Sequence, residues 1–285
     1  MLFPIKIAPY CPAGGGQPCS NDVCLGHVGV RTGSCRLERL AEQPKPMLAA
    51  RSPRNCFLSF IMAHVDFLNP SPTVRVVRIE SAPFAQNSYV VFLHGKTECL
   101  VIDPGFEPQA IIDCIGSLQI KPEAILLTHG HSDHIAGNAS LRAQWPTLPI
   151  FIGHGDASKL LDPAGNLSGA FGLAITSPPA DRLLADRETL DLAGLTMTVH
   201  EIPGHSSGHV IFLIQNSTPQ LVFGGDVLFR EGVGRSDFPD GDFEVLAAGI
   251  THRLYTLADD TIVFPGHGEP TTVGHEKRHN PFVPA

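Results

Sequence analysis

The feature that most constrains this chain is a cluster of polar residues directly after a short apolar run. Residues 124–127 are wholly apolar, as expected for a strand covered on both faces. The cluster begins where this run stops, and it contains His129, His131, Asp133 and His134. Side chains at the carboxyl end of a buried strand lie at a sheet edge, where ligand sites form in α/β proteins. The sequence therefore predicts a binding site at the end of this strand.

The donor types in the cluster indicate a metal site. Imidazole nitrogens and carboxylate oxygens are donors that zinc and iron accept. His129 and His131 flank a single residue and can converge on one ion, whereas Asp133 and His134 turn towards a second position. A helical spacing of apolar residues starts at His134 and stops at Pro146, so the cluster is held between a strand and a helix. A solvated loop without function is the less favoured interpretation.

Three later apolar runs also end in a potential ligand. Each run is followed by a glycine-containing turn, which brings one donor near the sheet edge. Alone, each donor would more often be a turn residue than a ligand, because single motifs give many false positives. Together with the first cluster they supply seven donors at equivalent strand ends, enough for two adjacent ions. The runs cover residues 195–202, 221–223 and 261–264, and the donors that follow them are His205, Asp226 and His267.

Composition excludes several other classes of protein. The chain has 285 residues, 43% of them hydrophobic, and a formal net charge of -8. These values are ordinary for a globular protein with a sizeable core. The negative charge disfavours broad binding to nucleic acids or anionic membranes, and no apolar run approaches the roughly 18 residues of a membrane-spanning helix. We therefore expect a soluble cytoplasmic protein whose partner is a small molecule.

Residues 1–72 differ in character from the rest of the chain, since they hold five of the seven cysteines. A zinc or disulfide module is one interpretation, although the cysteine gaps do not match the usual close pairs. A targeting peptide is another, although a compact apolar core is missing. We expect a poorly ordered leader, with Met47 or Met62 as an alternative start of translation, followed by a catalytic domain over residues 73–285.

Regular elements are predicted on both sides of the histidine cluster. The apolar spacing from residue 111 to residue 118 indicates a helix, and residues 155–161 indicate a second, shorter one. Residues 162–179, rich in Gly, Pro and Ser, form either a lid or rim loop or a passive surface excursion. Asp242 is expected to cap the final long helix. Strands are predicted before the cluster over residues 74–79, 89–93 and 99–102.

Five motifs in a fixed order carry a resemblance to a known family. They cover residues 128–134, 203–208, 224–229, 232–238 and 264–268. This ordered set resembles the metallo-β-lactamase fold and, within it, the short bacterial glyoxalase II-like hydrolases. The resemblance extends over roughly residues 74–285. It implies an α/β fold, an αβ/βα sandwich of two mixed β-sheets with helices on the outer faces.

The resemblance also implies how the donors are shared between two ions. His129, His131 and His205 would hold one ion, Asp133, His134 and His267 would hold the other, and Asp226 would bridge them. Asp103 matches the aspartate that orients a ligand histidine in this family, with a plain turn residue as the alternative. We expect two zinc ions, and iron or manganese would suit the same donors.

The resemblance further implies hydrolysis of a thioester by a metal-bridging hydroxide, with S-2-hydroxyacylglutathione or a related acyl-thiol as the expected substrate. Asp133 and Asp226 are expected to act in catalysis as ligands of the ions. Arg235 matches a basic substrate-binding position of the family, with a surface ion pair to Asp237 or Asp240 as the alternative. Cys99 and Cys114 are expected in the core, so no cysteine nucleophile is needed.

Other activities of the same superfamily fit the sequence less well. The metallo-β-lactamases proper place Cys or Ser at the position of Asp226, and flavodiiron proteins place Glu at that of His131. Only 18 residues follow His267, too few for the helical domain that helps glyoxalase II to hold glutathione. The alternatives that remain are a mononuclear-iron persulfide dioxygenase, a lactone hydrolase and a non-catalytic metal-binding module. The glycine before His267 favours the hydrolase over the dioxygenase.

Overall fold

The computed structural model describes residues 63–285, and in it two β-sheets pack face to face with helices on their outer sides. The layer between the sheets is filled by side chains of both, such as Val91 and Leu100 from one and Phe212 and Phe223 from the other. These strands are rich in branched and aromatic residues, which fit a pleated, buried surface. The expectations for residues 1–62 lie outside the described residues.

The first sheet has seven strands that lie in chain order. They are β1 (His64–Leu68), β2 (Val74–Ser81), β3 (Gln86–Leu93), β4 (Glu98–Ile102), β5 (Lys121–Leu127), β6 (Ile150–Gly153) and β7 (Arg182–Leu184). Strands β1 to β4 are antiparallel neighbours, and β4 to β7 are parallel. The change follows from the connections, because short turns join the antiparallel strands whereas parallel strands need a longer crossover.

The second sheet has six strands, and a separate two-stranded ribbon follows its fourth strand in the chain. The strands are β8 (Thr189–Leu192), β9 (Leu195–Glu201), β10 (Val210–Ile214), β11 (Leu221–Gly225), β14 (Ile262–Pro265) and β15 (Thr271–Thr272), with β12 (Leu228–Phe229) and β13 (Gly232–Val233) forming the ribbon. Only the pairing of β11 with β14 is parallel among the described strands of this sheet.

Helices cover the outer face of each sheet. They are α1 (Pro108–Leu118), α2 (Ser132–Ile135), α3 (Asn138–Gln144), α4 (Phe243–Gly249) and α5 (Val273–His279). Ile111 of α1 and Leu141 of α3 pack against the first sheet, and Leu246 of α4 and Val273 of α5 pack against the second. The predicted sandwich of two mixed sheets with outer helices is therefore confirmed.

Several local features refine the predictions. The helical run predicted from His134 begins at Ser132 and is interrupted between α2 and α3. The interruption lies at Gly137, where a Cβ atom would stand 2.8 Å from the Gly105 carbonyl oxygen, so only glycine allows this approach. The predicted helix at residues 155–161 is a 3₁₀ segment, His154–Leu161. The cap at Asp242 is confirmed, since its Oδ1 accepts a hydrogen bond from the Val245 N–H at 3.1 Å.

The ordered sheet begins before residue 73, where the sequence placed the boundary of the catalytic domain. Strand β1 pairs with β2 in register from His64 with Glu80 to Leu68 with Val76. Three of its five side chains are exposed and two are half-buried, and two prolines follow it, so the strand has no buried apolar face that the sequence could reveal. None of the helices within residues 63–285 has the length and hydrophobicity of a membrane-spanning segment.

The two sheets meet at the edge that carries the polar cluster. The Val210 N–H donates to the Thr128 carbonyl at 2.8 Å, which joins the end of β5 to the start of β10. The Asn87 N–H donates to the Gly266 carbonyl at 2.7 Å, which joins β3 to the turn after β14. These bonds bring the polar ends of strands from both sheets into one place.

Candidate metal centre

The first group of donors consists of His129, His131 and His205. All three side chains are buried, and one ligand atom of each lies within 4.8 Å of the others. His205 Nε2 is 2.9 Å from His131 Nδ1, although the two residues are 74 positions apart in the chain. The structure thus places the histidines that follow β5 next to the histidine in the turn after β9.

The second group consists of Asp133, His134 and His267, again with ligand atoms within 4.8 Å of one another. His267 Nε2 lies 3.3 Å from Asp133 Oδ2, and His134 Nε2 lies 3.8 Å from the same oxygen. Asp133 and His134 belong to α2, and His267 follows β14.

Asp226 lies between the two groups, directly after β11. Its Oδ2 is 3.4 Å from His205 Nε2 of the first group and 3.5 Å from His267 Nε2 of the second. Its Oδ1 is 3.4 Å from His134 Nε2. A single carboxylate therefore faces donors of both groups.

The donor set fits divalent ions on two independent counts. Ligand atoms about 2.0–2.1 Å from a tetrahedral zinc ion lie about 3.3 Å from one another, close to the separations around Asp226. In addition, His129 Nε2, His134 Nε2 and Asp226 Oδ1 are buried without a hydrogen-bond partner among the described residues. Unpartnered buried polar atoms are costly, and an ion would satisfy them.

The histidines of the first group are held in the neutral form that a metal requires. Burial lowers the pKa of His129 well below its ordinary value, and the neighbouring histidines lower it further. Burial and the proximity of His205 lower the pKa of His131 to about 3. The pKa of His205 is also lowered, by burial, against the opposing effect of Asp226. No proton competes with an ion for these nitrogens near neutral pH.

The second group is different because carboxylates surround its histidines. Burial alone would lower the pKa of His134, but Asp133, Asp226 and the bond to Asp103 together raise it well above its ordinary value. The pKa of His267 is likewise raised by Asp226 and Asp133, against the effect of burial. Asp226 itself stays ionised, since His134 and His267 lower its pKa well below the usual range despite burial.

Acidification is therefore expected to weaken metal binding by the second group before it weakens binding by the first. Protons compete for His134 and His267 at a higher pH than for His131, because their pKa values are raised whereas that of His131 is lowered. Metal content measured after dialysis at a series of pH values from about 8 to about 5 should fall in two steps. The His267→Ala variant should lack the step at higher pH. Loss of all metal in one step, in both proteins, would contradict this order.

Asp103 holds His134 in the orientation that presents Nε2 to the site. The carboxylate accepts bonds from the Thr128 N–H at 2.7 Å and the Thr128 hydroxyl at 2.6 Å. Its Oδ2 also lies 3.0 Å from His134 Nδ1, so the Nδ1 proton is donated to it and the lone pair is left on Nε2. Asp103 has a left-handed backbone, with φ at 48°, as the turn after β4 requires. The structure thus gives it the orienting position that the resemblance implied.

The remaining ligand histidines are oriented in a similar way by their second ring nitrogen. The partners of Nδ1 are the Arg235 carbonyl for His205 (2.7 Å), the Phe84 carbonyl for His267 (3.1 Å) and the Thr128 hydroxyl for His129 (3.1 Å). His131 is the exception, because its Nδ1 faces His205 and its buried Nε2 has no partner in the described part of the chain. Backbone carbonyls therefore orient His205 and His267, whereas the Thr128 hydroxyl orients His129.

His209 is a site residue that sequence reasoning did not single out. Its ring is fully buried and stacked on His129, with centroids 4.8 Å apart and an angle of 20° between the planes. Its Nε2 accepts a hydrogen bond from the Asp226 N–H at 3.1 Å. His209 therefore positions the backbone of the central carboxylate. Its place in the same glycine-rich turn as His205 was the available signal.

An open cavity of about 490 Å³ lies over the donor cluster, a size typical of sites for small molecules. Among the described residues that line it, Arg235 is the only Lys or Arg. Residues 167–171 contribute to the wall, so the irregular stretch predicted at residues 162–179 borders the cavity. The apolar lining consists of Phe84, Leu167, Ala170, Phe171, Phe229, Val233 and Phe238.

Arg235 forms the surface ion pair with Asp237 that the sequence left open, and it also lines the cavity. Its guanidinium pairs with the Asp237 carboxylate through two bonds of 2.9 and 3.0 Å, and it lies 4.6 Å from the centre of the Phe238 ring. Asp240 instead binds Lys159 at 2.6 Å. The Arg235 side chain is mostly exposed at the cavity rim, where a ligand can reach it.

Two packed mixed sheets, with histidines and carboxylates gathered where their strands end, define a metal-binding α/β sandwich protein. Comparison with known proteins gives the family. The Metallo-beta-lactamase superfamily matches residues 82–267, and the chain belongs to that superfamily.

Three similar proteins illustrate the range of this superfamily. The hydroxyacylglutathione hydrolase GloC of Haemophilus influenzae is 36% identical over 206 residues, covering 70% of this chain and 93% of the relative. The crystal structure of the BLEG-1 B3 metallo-beta-lactamase is 37% identical with a TM-score of 0.69, covering 73% of this chain and 99% of that one. The structure of TTHA1623 in a di-iron-bound form is 38% identical with a TM-score of 0.64, covering 72% and 99%. By family and site, the protein is a hydrolytic metalloenzyme.

Proposed function

We propose that the protein hydrolyses thioesters, with S-2-hydroxyacylglutathione or a related acyl-thiol as substrate, and that it uses two metal ions. The observation that carries this proposal is the position of Asp226. Its carboxylate faces His205 of one donor group and His134 and His267 of the other, at 3.4 to 3.5 Å. A carboxylate shared in this way is suited to a pair of ions.

The ions would act as Lewis acids and lower the pKa of bound water towards about 7. The seven ligands would hold the ions, with burial keeping His129 and His131 neutral and Asp103 accepting the Nδ1 proton of His134. Ser132 and Asp133 line the cavity beside the donors, and aromatic side chains form much of its wall.

No cysteine in the described residues is suited to nucleophilic attack. Cys99 and Cys114 are buried in the core, as predicted. Burial raises the pKa of Cys99 to about 12 and that of Cys114 to about 11, so neither forms a thiolate at neutral pH. This supports attack by an activated water rather than by the protein itself.

The cavity wall supports an acyl-thiol as the ligand. Seven apolar side chains suit the acyl chain and the carbon skeleton of the thiol, and Arg235 suits one carboxylate. The name of GloC, at 36% identity, supports a hydroxyacylglutathione in particular. Metal identity stays open in this proposal, because the same donors accept zinc, iron or manganese, and the TTHA1623 structure holds iron.

The test is a substrate panel with the full chain purified without oxygen, together with its metal content. We expect about two ions per chain and hydrolysis of S-lactoylglutathione that exceeds hydrolysis of a β-lactam and of a lactone by at least about tenfold in kcat/KM. The β-lactam is included because the BLEG-1 relative is described as a metallo-beta-lactamase.

Different results would replace the proposal by a specific alternative. A higher rate with the β-lactam or the lactone would remove the thioester assignment. One iron per chain, with oxygen uptake in the presence of glutathione persulfide and no hydrolysis, would identify the persulfide dioxygenase instead.

A further inference from the structure

Asp156 is a fully buried carboxylate that does not belong to the ligand set. It lies in the 3₁₀ segment His154–Leu161 that follows β6, and its side chain has no exposed surface. An ionised carboxylate in such a place is costly unless hydrogen bonds and an opposite charge compensate it. Its partners therefore show what it holds in place.

Three of the four groups that Asp156 binds come from the loops that carry the first donor group. Its Oδ2 accepts bonds from the Gly130 N–H at 2.8 Å and from the Ser206 hydroxyl, and its Oδ1 accepts from the Gly208 N–H at 2.7 Å. Gly130 stands between His129 and His131, and Ser206 directly follows His205. One carboxylate thus ties together the two loops that must converge on one ion.

The packing around these bonds leaves no space for larger residues. A Cβ atom at Gly208 would stand 2.2 Å from the Asp156 backbone nitrogen, and one at Gly130 would stand 2.7 Å from Lys159 Cβ. The backbones of both loops therefore lie directly against the 3₁₀ segment, which only glycine permits. The contact sets the distance between the loops rather than merely covering them.

The fourth partner of Asp156 supplies the compensating charge. Lys159 Nζ lies 3.1 Å from Asp156 Oδ1 and 2.6 Å from Asp240 Oδ2. Asp240 in turn accepts a bond from the Ser207 N–H at 2.9 Å, in the same loop as His205. The bonds of Asp156 are thus part of a charged network with Lys159 and Asp240, which extends to the segment bearing Arg235.

The second donor group is not bonded to Asp156 in the described part of the chain. Among the described hydrogen bonds and ion pairs of Asp156, none involves Asp133, His134 or His267. His134 instead depends on Asp103, and His267 on the Phe84 carbonyl.

We propose that Asp156 is a positioning residue for the first donor group, setting the separation of His131 and His205 at which they share an ion, and that the second group binds its ion independently of it. This inference rests on metal binding by the ligand set and is independent of the substrate. Failure of the thioester assignment would leave it intact.

The experiment compares Asp156→Asn in two backgrounds that each retain one donor group. His267→Ala removes a ligand of the second group, and His131→Ala removes a ligand of the first. Metal-free protein is titrated with Co²⁺, followed by its visible spectrum and by competition with a chromophoric chelator. An amide at position 156 would turn an N–H towards one of the backbone donors, so the loops should separate.

We expect Asp156→Asn to weaken Co²⁺ binding about 10- to 100-fold in the His267→Ala background and to change its visible spectrum. In the His131→Ala background the affinity should stay within about twofold. Equal losses in both backgrounds, or no loss in the first, would overturn the proposal. Asp113→Asn, on the exposed face of α1, is the matched control and should change neither affinity.

A second variant covers the case in which Asp156→Asn does not fold, as judged by thermal unfolding of the metal-free protein. Ser206→Ala removes one bond and leaves those of Gly130 and Gly208. We expect a loss of roughly twofold to tenfold, again confined to the His267→Ala background. An unchanged Co²⁺ affinity of Ser206→Ala in both backgrounds would contradict the positioning role of Asp156.

Discussion

Replacing Asp226 by asparagine is expected to lower kcat/KM by about 10³-fold or more and to reduce the metal content of the protein. Asparagine keeps the shape of the side chain but removes its charge and one of its two acceptor oxygens. The carboxylate faces both donor groups, with distances of 3.4 to 3.5 Å to His205, His134 and His267. The substitution therefore takes a charged oxygen away from each donor group. Loss of one preorganised electrostatic group typically costs 10²–10³ in kcat, and this residue would serve both ions of the proposed pair.

The measurement combines steady-state hydrolysis of S-lactoylglutathione with metal analysis of the same preparation. Asp113→Asn is the control, because it removes one exposed carboxylate on α1 that neither lines the cavity nor belongs to the donor set. Activity of Asp226→Asn within about tenfold of the parent, with full metal content, would show that this carboxylate is not shared by the ions.

The second large effect is expected for Asp103→Asn. In the unsubstituted protein the carboxylate accepts hydrogen bonds from the Thr128 N–H, the Thr128 hydroxyl and the His134 Nδ1–H. An amide keeps the first of these bonds through its oxygen, and its NH₂ then faces His134 Nδ1. The imidazole would shift its proton to Nε2, the atom that must carry a lone pair for the metal. We expect metal affinity and activity to fall about 10- to 100-fold.

The affinity is measured by competition with a chelator, and the activity is measured at saturating metal. Partial recovery of activity at high metal concentration is expected, since the ligand atoms are still present. An unchanged affinity would show that Asp103 serves only the turn after β4 and not His134. Asp103 bonds His134 of the second donor group directly, whereas Asp156 binds the loops that carry the first, so the two predictions concern different supports of the site.

The local sequence pattern identified much of the candidate site. A wholly apolar run followed at once by His129, His131, Asp133 and His134 indicates both the strand and the chemistry at its end, because burial pattern and donor type are properties of neighbouring residues. The same holds for the turns that bear His205, Asp226 and His267. The resemblance of the ordered motifs added how these donors divide between two groups, and the structure brings them together in that arrangement.

Strand β1 and the helix break at Gly137 depend on contacts between distant segments, so only the tertiary structure determines them. Strand β1 lies within residues 1–72, which the sequence predicts to be a poorly ordered leader. It is a short strand that pairs with β2 and buries little apolar surface, so its sequence does not reveal it. The break at Gly137 follows from the approach of the turn at Gly105, which no periodicity reveals.

The same reason applies to the residues that support the site. In the sequence, Asp156 looks like any exposed acid of a short helix, and His209 looks like a turn residue. Only the packing of β6 and β10 against the end of β5 buries them and supplies their partners, Gly130 and the Asp226 backbone. The sequence by itself determined the donors, since these follow from side-chain chemistry and local periodicity, and the resemblance of its ordered motifs implied the class of fold. The separation of the donors, the residues that fix it and the apolar cavity above them were decided by the joining of the two sheets.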